Sequence, residues 1–336
     1  MSQSSETRSR IWRKRCWGTL LLLASLLFVE LAATVYFRVT HTGRGVTFDP
    51  NYGWRHLPGI AKSGFFWGAN EPATTNSHGW RDAETSYAKP EGMRRIVVVG
   101  DSFTFGVRVD YGQRFTEMLE DELEATEVIN LGANAFGTDQ ELLVLRHEGL
   151  RYEPDVVLLV AFLGNDLADI RHERKNYWPK PHFVLDADDL ILSPPVKSWD
   201  VRLRGSTYVG EGLFRLVQRW IPEHTIADDA PGEPANGELF VRLIEEAHRT
   251  ATEAGAEFRC VLVYSRRPNA LEAPQPFPPE QHARELLFET DVPLLDTWDL
   301  YRDRVRAGED LYPADDEHWN EAGHRVLAEA LLQLLR

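Results

Sequence analysis

Three short stretches carry side chains able to do chemistry together. The first is IVVVGDSFTFGV, residues 96–107, in which four β-branched residues run into Gly100, Asp101 and Ser102. It reads as a buried strand that ends by presenting a hydroxyl. A serine hydroxyl is a weak nucleophile until a base takes its proton. Asp-Ser pairs also serve as turn or cap residues, and the stretch alone leaves both roles open. The second is FLGNDLAD, where Gly164, Asn165 and Asp166 end another apolar strand. A side-chain amide there can donate to a developing oxyanion, or the pair can simply open a turn. The third is DDEHWNEAGH near the C-terminus. His318 follows Asp315 by three residues and Asp316 by two, which puts a base beside carboxylates able to fix its tautomer and stabilise the imidazolium. His324 falls within the closing helix and reads as structural. A metal site from Asp315, Asp316, His318 and His324 lacks a HExxH-type spacing.

The surrounding pattern must bring these stretches together. From Arg94 onward, apolar runs alternate with helical periodicity. RRIVVVG, EVINLG, PDVVLLVAFLGND, AEFRCVLVYS and VPLLDTW read as strands. QRFTEMLEDELEA is helical, with Phe115, Met118, Leu119 and Leu123 at helical spacing. TDQELLVLRHEGLRY, ELFVRLIEEAHRTATEAG, ARELLFET and NEAGHRVLAEALLQLLR are further helices. Continuous apolar strands between helices predict a parallel sheet covered on both faces. Functional groups in such a sheet gather at the carboxyl ends of its strands. Residues 170–235, rich in Pro and aromatics, break the rhythm as an insertion or flap. Residues 41–90 read as an irregular lead-in containing TTNSHGWRD.

Composition narrows the classes. The chain has 336 residues, 43% hydrophobic and 26% charged, so it is globular. A formal charge of −15 argues against nucleic acid as a partner, since phosphate binding needs clustered Lys and Arg. Arg8, Arg10, Arg13, Lys14 and Arg15 precede an apolar run, Trp17 to Phe37, whose only charge is Glu30. That run is long enough to cross a bilayer as a helix. Basic residues before it predict a cytoplasmic stub over 1–16, a single-pass anchor over 17–37 and an exported body. A cleaved signal peptide is the rival reading. Glu30 is either tolerated by a strongly apolar helix, where it can be protonated, or makes a helix–helix contact in a complex. Cys16 and Cys260 fall on opposite sides of this anchor, so no disulfide is expected between them.

Taken together, GDS, GND and DDEH resemble the blocks of the SGNH, or GDSL-type, hydrolase superfamily, over roughly residues 94–336. The resemblance implies a three-layer α/β/α sandwich of about five parallel strands, flavodoxin-like in outline, over residues 91–336. It implies Ser102 as nucleophile and backbone oxyanion donor, Asn165 as side-chain donor, and Asp315 with His318 as the rest of a triad. The family's usual block is Asp-x-x-His. Some relatives that acetylate polysaccharides read Asp-x-His, and Asp316 would then orient His318. The second block, NLGANAFGTDQ, departs from the family: its expected glycine falls on Ala135, with Gly132 as the alternative donor. NSHGWRD is similar to a stretch preceding the serine strand in membrane-anchored bacterial relatives. Asn76, Gly79 and Arg81 then line or brace the site, or Arg81 pairs with an acid. Trp80 and Trp319 are core residues or platforms for a sugar ring. The implied activity is a serine esterase acting on an O-acyl or O-acetyl ester, small-molecule or carbohydrate, outside the cytoplasmic membrane, with no metal or organic cofactor. An O-acyltransferase acting on an envelope polysaccharide uses the same residues. A non-catalytic carbohydrate-binding or scaffold protein is the third class.

Overall fold

The computed structural model describes residues 3–39, 45–62, 72–175, 178–187, 189–218, 234–264 and 275–336. The chain forms two compact units, Met1–Arg44 with Ser198–Pro222, and Gly45–Lys197 with Glu223–Arg336. Helix α1 (Gln3–Val39) opens the smaller unit, and its stretch Trp12–Tyr36 is long and apolar enough to cross a membrane.

In the larger unit, strand β1 (Arg94–Gly100) leads into α2 (Ser102–Phe105) and α3 (Phe115–Glu122). Strand β2 (Thr126–Gly132), helix α4 (Thr138–His147), strand β3 (Val156–Phe162) and helix α5 (Leu163–Asp169) follow. Helices α6 (Trp199–Ser206) and α7 (Tyr208–Gln218) belong to the smaller unit. The larger unit resumes with α8 (Pro234–Glu253), β4 (Glu257–Val263), α9 (Pro278–Phe288), β5 (Leu294–Asp296), α10 (Trp298–Arg306) and α11 (Glu321–Leu335).

The five strands form one sheet in the order β5-β4-β3-β1-β2, and every neighbouring pair is parallel. Every residue of β3 is buried, as is β1 beyond its first arginine, which is why these runs show no polar alternation. Right-handed crossovers dictate the layers. From β1 the chain steps outward to β2 through α3, then returns across β1 to β3 through α4, so α3 and α4 cover opposite faces. The steps to β4 and β5 continue in the second direction, which puts α8 and α9 beside α4. Packing agrees: α4 meets α8, α8 meets α9, and α11 returns to pack on α3. The result is the expected α/β/α sandwich. Its direction of winding reverses at β1, the strand that ends in Gly-Asp-Ser.

Two regions differ from the sequence reading. The lead-in is not wholly irregular, since Val46–Asp49 pairs with Gly53–His56 and Ala61–Lys62 with Ala73–Thr74. The insertion is not one flap. Its first part carries an antiparallel hairpin, His182–Asp186 with Asp189–Ser193, in the larger unit, while α6 and α7 cluster with the N-terminal helix. The ladders escape a reading by pattern because short two-stranded pairs carry too few residues to show a hydrophobic period.

Gly132, at the end of β2, lies against the backbone of α2. A Cβ there would collide with the Phe105 nitrogen and the Thr104 carbonyl carbon. Gly132→Ala should therefore cost about 1–3 kcal/mol, seen as a Tm lowered by about 2–10 °C in a thermal melt. An unchanged Tm would refute that close approach.

Two buried histidines tie stability to pH. Burial, then Arg81, holds His56 down to about 4. Burial, then the charges of Arg114, Arg81 and His318, holds His324 down to about 3. Below the unperturbed value of 6.5 the unfolded chain gains protons that the folded chain refuses, so the stability these residues allow is whole above pH 6.5 and falls as pH drops toward 4 and 3. Melting His324→Gln across this window should give a shallower acid-side loss of Tm than the parent protein; equal slopes would count against the assignment.

Candidate active site

The serine lies at the winding reversal, where functional groups of open α/β sheets collect. Asp101 and Ser102 divide the two roles left open by the sequence. Asp101 is the helix cap: its Oδ1 accepts the Phe103 N–H at 2.9 Å. Ser102 begins α2, and its Oγ lies 2.8 Å from His318 Nε2, closer than the 3.3 Å to Asp101 Oδ2. Asp101 is wholly buried, and burial drives its carboxyl up to about 7, against the Phe103 N–H and the His318 charge.

The carboxylate on His318 is that of Asp316. Asp316 Oδ1 lies 2.7 Å from His318 Nδ1 and also accepts the His318 backbone N–H at 3.1 Å. A carboxylate two residues back folds onto the N–H ahead of it as an Asx-turn, and that turn aims it at the ring. Burial raises the Asp316 carboxyl, but the hydrogen bond and charge of His318 outweigh it, and the net direction is down. The expected partner, Asp315, is corrected by this geometry: its side chain is 70% exposed and binds Arg108 Nη2 at 2.9 Å. Arg108 also stands 3.6 Å from Asp316 Oδ2 and so holds both aspartates from the loop after α2.

Strand register locates the two further residues expected as donors. Gly100 pairs with Gly132 on one side and Val160 on the other. Ala135, three residues past Gly132, and Asn165, five past Val160, therefore follow strands that end at the same edge of the sheet as the one before Ser102. Gly132 is an unsuitable donor because its N–H is already given to Asn130 Oδ1 at 2.9 Å. Ala135 has φ of 61°, the left-handed region where a methyl costs about 1 kcal/mol and where the family pattern places glycine. Asn165 does not end the strand as expected; β3 stops at Phe162 and Asn165 sits inside α5. The turn is set by Asp166, whose Oδ2 accepts the Phe162 N–H at 3.1 Å and the Thr138 hydroxyl at 3.0 Å. Asn165 gives one amide hydrogen to Asp169 Oδ2 at 3.0 Å, leaving a second for another acceptor. Its Oδ1 is buried without a partner among the described residues.

The NSHGWRD stretch braces the serine turn from behind. Buried Arg81 donates to the carbonyls of Phe105, Gly106 and Val109, so its partners are carbonyls and not an acid. Asn76 Oδ1 accepts the N–H groups of His78 and Trp80, and Gly79, at φ 86°, lies where a Cβ would strike the His56 carbonyl. Trp80 and Trp319 are buried core residues, not exposed platforms. Trp319 meets Phe103 edge-on at 4.7 Å, and Phe103 packs 5.0 Å from the His318 ring, which fixes the histidine loop on the serine helix. His324 accepts the Phe115 N–H and is structural, as its helical position suggested. Arg108 and Asp169 were missed in the sequence. Nothing local marks Arg108, whereas Asp169 stands four residues after Asn165, a spacing that places both on one helix face.

Residues 98–326 match the model of the GDSL-like lipase/acylhydrolase family. No curated protein sequence matches the chain closely. Among solved structures the chain is similar to a member of the lipolytic protein G-D-S-L family from Veillonella parvula, at 14% identity and a TM-score of 0.43, over 71% of this chain and 97% of that one. It is similar to the lipase/acylhydrolase from Enterococcus faecalis, at 16% identity and a TM-score of 0.41, over 72% and 95%. It is also similar to an acetyl xylan esterase, at 14% identity and a TM-score of 0.44, over 72% and 100%. With the family model spanning most of its length, the chain belongs to the GDSL-like lipase/acylhydrolase family of ester-hydrolysing enzymes.

Proposed function

We propose that the protein is a serine esterase that cleaves an O-acyl ester through a Ser102–His318–Asp316 triad and an acyl-serine. The observation that carries this reading is the continuous chain of short contacts from Ser102 Oγ through the His318 ring to Asp316. His318 Nε2 takes the Ser102 proton as Oγ bonds to the ester carbonyl carbon. The Asp316 carboxylate stabilises the resulting imidazolium. The carbonyl oxygen becomes an oxyanion, held by the N–H of Ser102, the N–H of Ala135 and the Asn165 amide. Donors fixed in place before the reaction lower its barrier, because they need no reorganisation when charge develops. Collapse expels the alcohol, which takes the proton from His318. Water then repeats the sequence against the acyl-serine and releases the acid.

The Ser102 N–H suits its part because it lies at the start of a helix, among amides that have no intrahelical acceptor. An O-acetylated carbohydrate is the substrate class proposed first, since the arginines ahead of the apolar run of α1 favour a cytoplasmic N-terminus and a catalytic body on the far side of the membrane.

Full-length protein in detergent should hydrolyse p-nitrophenyl acetate, and Ser102→Ala should lower kcat/KM by at least about 10³-fold. Parental turnover in that variant would remove the nucleophile. Asp316→Asn should lower kcat by about 10²–10⁴-fold through the wrong imidazole tautomer. Asp315→Asn should stay within about threefold, as suits an exposed ion pair. The reverse order would return the orienting role to Asp315.

A further inference from the structure

Glu30 is the single charge in the apolar run from Trp17 to Phe37, and it is engaged. Its Oε1 accepts the N–H of Tyr208 at 2.6 Å and its Oε2 the N–H of Val209 at 3.0 Å. These are the first two amides of α7. Such amides have no acceptor within their own helix, and the helix dipole favours a carboxylate beside them. A carboxylate in the hydrocarbon region is costly by itself, and this pair of donors offsets the cost.

The rest of the smaller unit has the polarity of an element that leaves water. Arg204 and Glu211 are buried against each other at 3.2 Å, with the Arg204 guanidinium over the Phe214 ring. Leu213 and Leu216 are 51% and 58% exposed, and Trp199 is 76% exposed. The Arg204–Glu211 pair is turned inward, and Leu213 and Leu216 are turned outward. Along α1, Leu21, Leu27 and Phe28 are likewise exposed, and the Glu30 contact joins α7 to this apolar helix. Depth agrees as well. Glu30 lies six residues before Tyr36, about 9 Å along the helix. Amphipathic helices in the membrane plane sit about 5–10 Å into the headgroup and acyl boundary.

We propose that α6 and α7 form an interfacial membrane element, seated in the leaflet at the C-terminal end of α1 and tethered there by Glu30. The occupant of the Leu213–Leu216 face is lipid acyl chain. α1 is then a retained anchor, because cleavage after the apolar run would strip α7 of its cap.

The test uses the full-length chain carrying Cys16→Ser, reconstituted in phosphatidylcholine vesicles, with an environment-sensitive fluorophore on Leu213→Cys or Leu216→Cys. Lipid-attached spin labels should quench both probes, and aqueous iodide should quench them several-fold less. Adding Glu30→Leu, which keeps α1 apolar, should restore iodide quenching. Circular dichroism of each labelled protein guards against a misfolded variant. Iodide quenching without lipid quenching would overturn the proposal. Energy transfer between copies without lipid quenching would give the face to a second molecule and overturn it too. Lipid quenching that survives Glu30→Leu would remove the carboxylate as the tether.

Discussion

The serine turn hangs on one buried guanidinium. α2 is four residues long, far too short to hold its own shape. Its C-terminal end needs donors, and Arg81 supplies them to the carbonyl of Phe105 and, just beyond the helix, to those of Gly106 and Val109. Arg114 locks the brace in turn, giving its Nη1 to the Arg81 carbonyl and its Nε to Glu117. Asp82, beside Arg81 in sequence, takes the backbone N–H of Asn130 in β2. One irregular stretch thus grips both the Ser102 loop and the neighbouring strand. The lead-in therefore belongs to the architecture that positions Ser102, although it forms no layer of the sandwich.

Within that frame, the order Gly-Asp-Ser separates tasks that one side chain could not perform together. A capping hydroxyl is committed to a backbone N–H. By assigning the cap to Asp101, the turn leaves the Ser102 Oγ for His318. The histidine side is built likewise: Asp316 serves both the backbone N–H and the ring of His318, while the exposed Asp315 spends its charge on Arg108.

Most of the sheet was legible in the sequence because buried parallel strands are unbroken apolar runs and their order follows from handed crossovers. The meeting of Ser102 and His318 was legible because their blocks are distinctive. The choice of aspartate was not. Spacing of two or three residues from a histidine does not determine which carboxylate faces the ring; the local turn does, and that depends on Pro313, whose carbonyl accepts the Asp316 N–H. Asn165 was placed at a strand end because the apolar run continues through Leu163, and only the Asp166 side chain marks where the ladder stops. The partner of Glu30 lies 178 residues away, and no local pattern encodes such a distance.

The division of the insertion between units has a topological consequence. The backbone passes between the two units three times, after Arg44, after Lys197 and after Pro222. A single proteolytic cut near residue 44 would not free the larger unit, which would stay joined to α6 and α7 by two further covalent links. Deleting the first forty residues does more than remove an apolar helix. It leaves two backbone amides without their acceptor and a leucine-bearing helix without its companion.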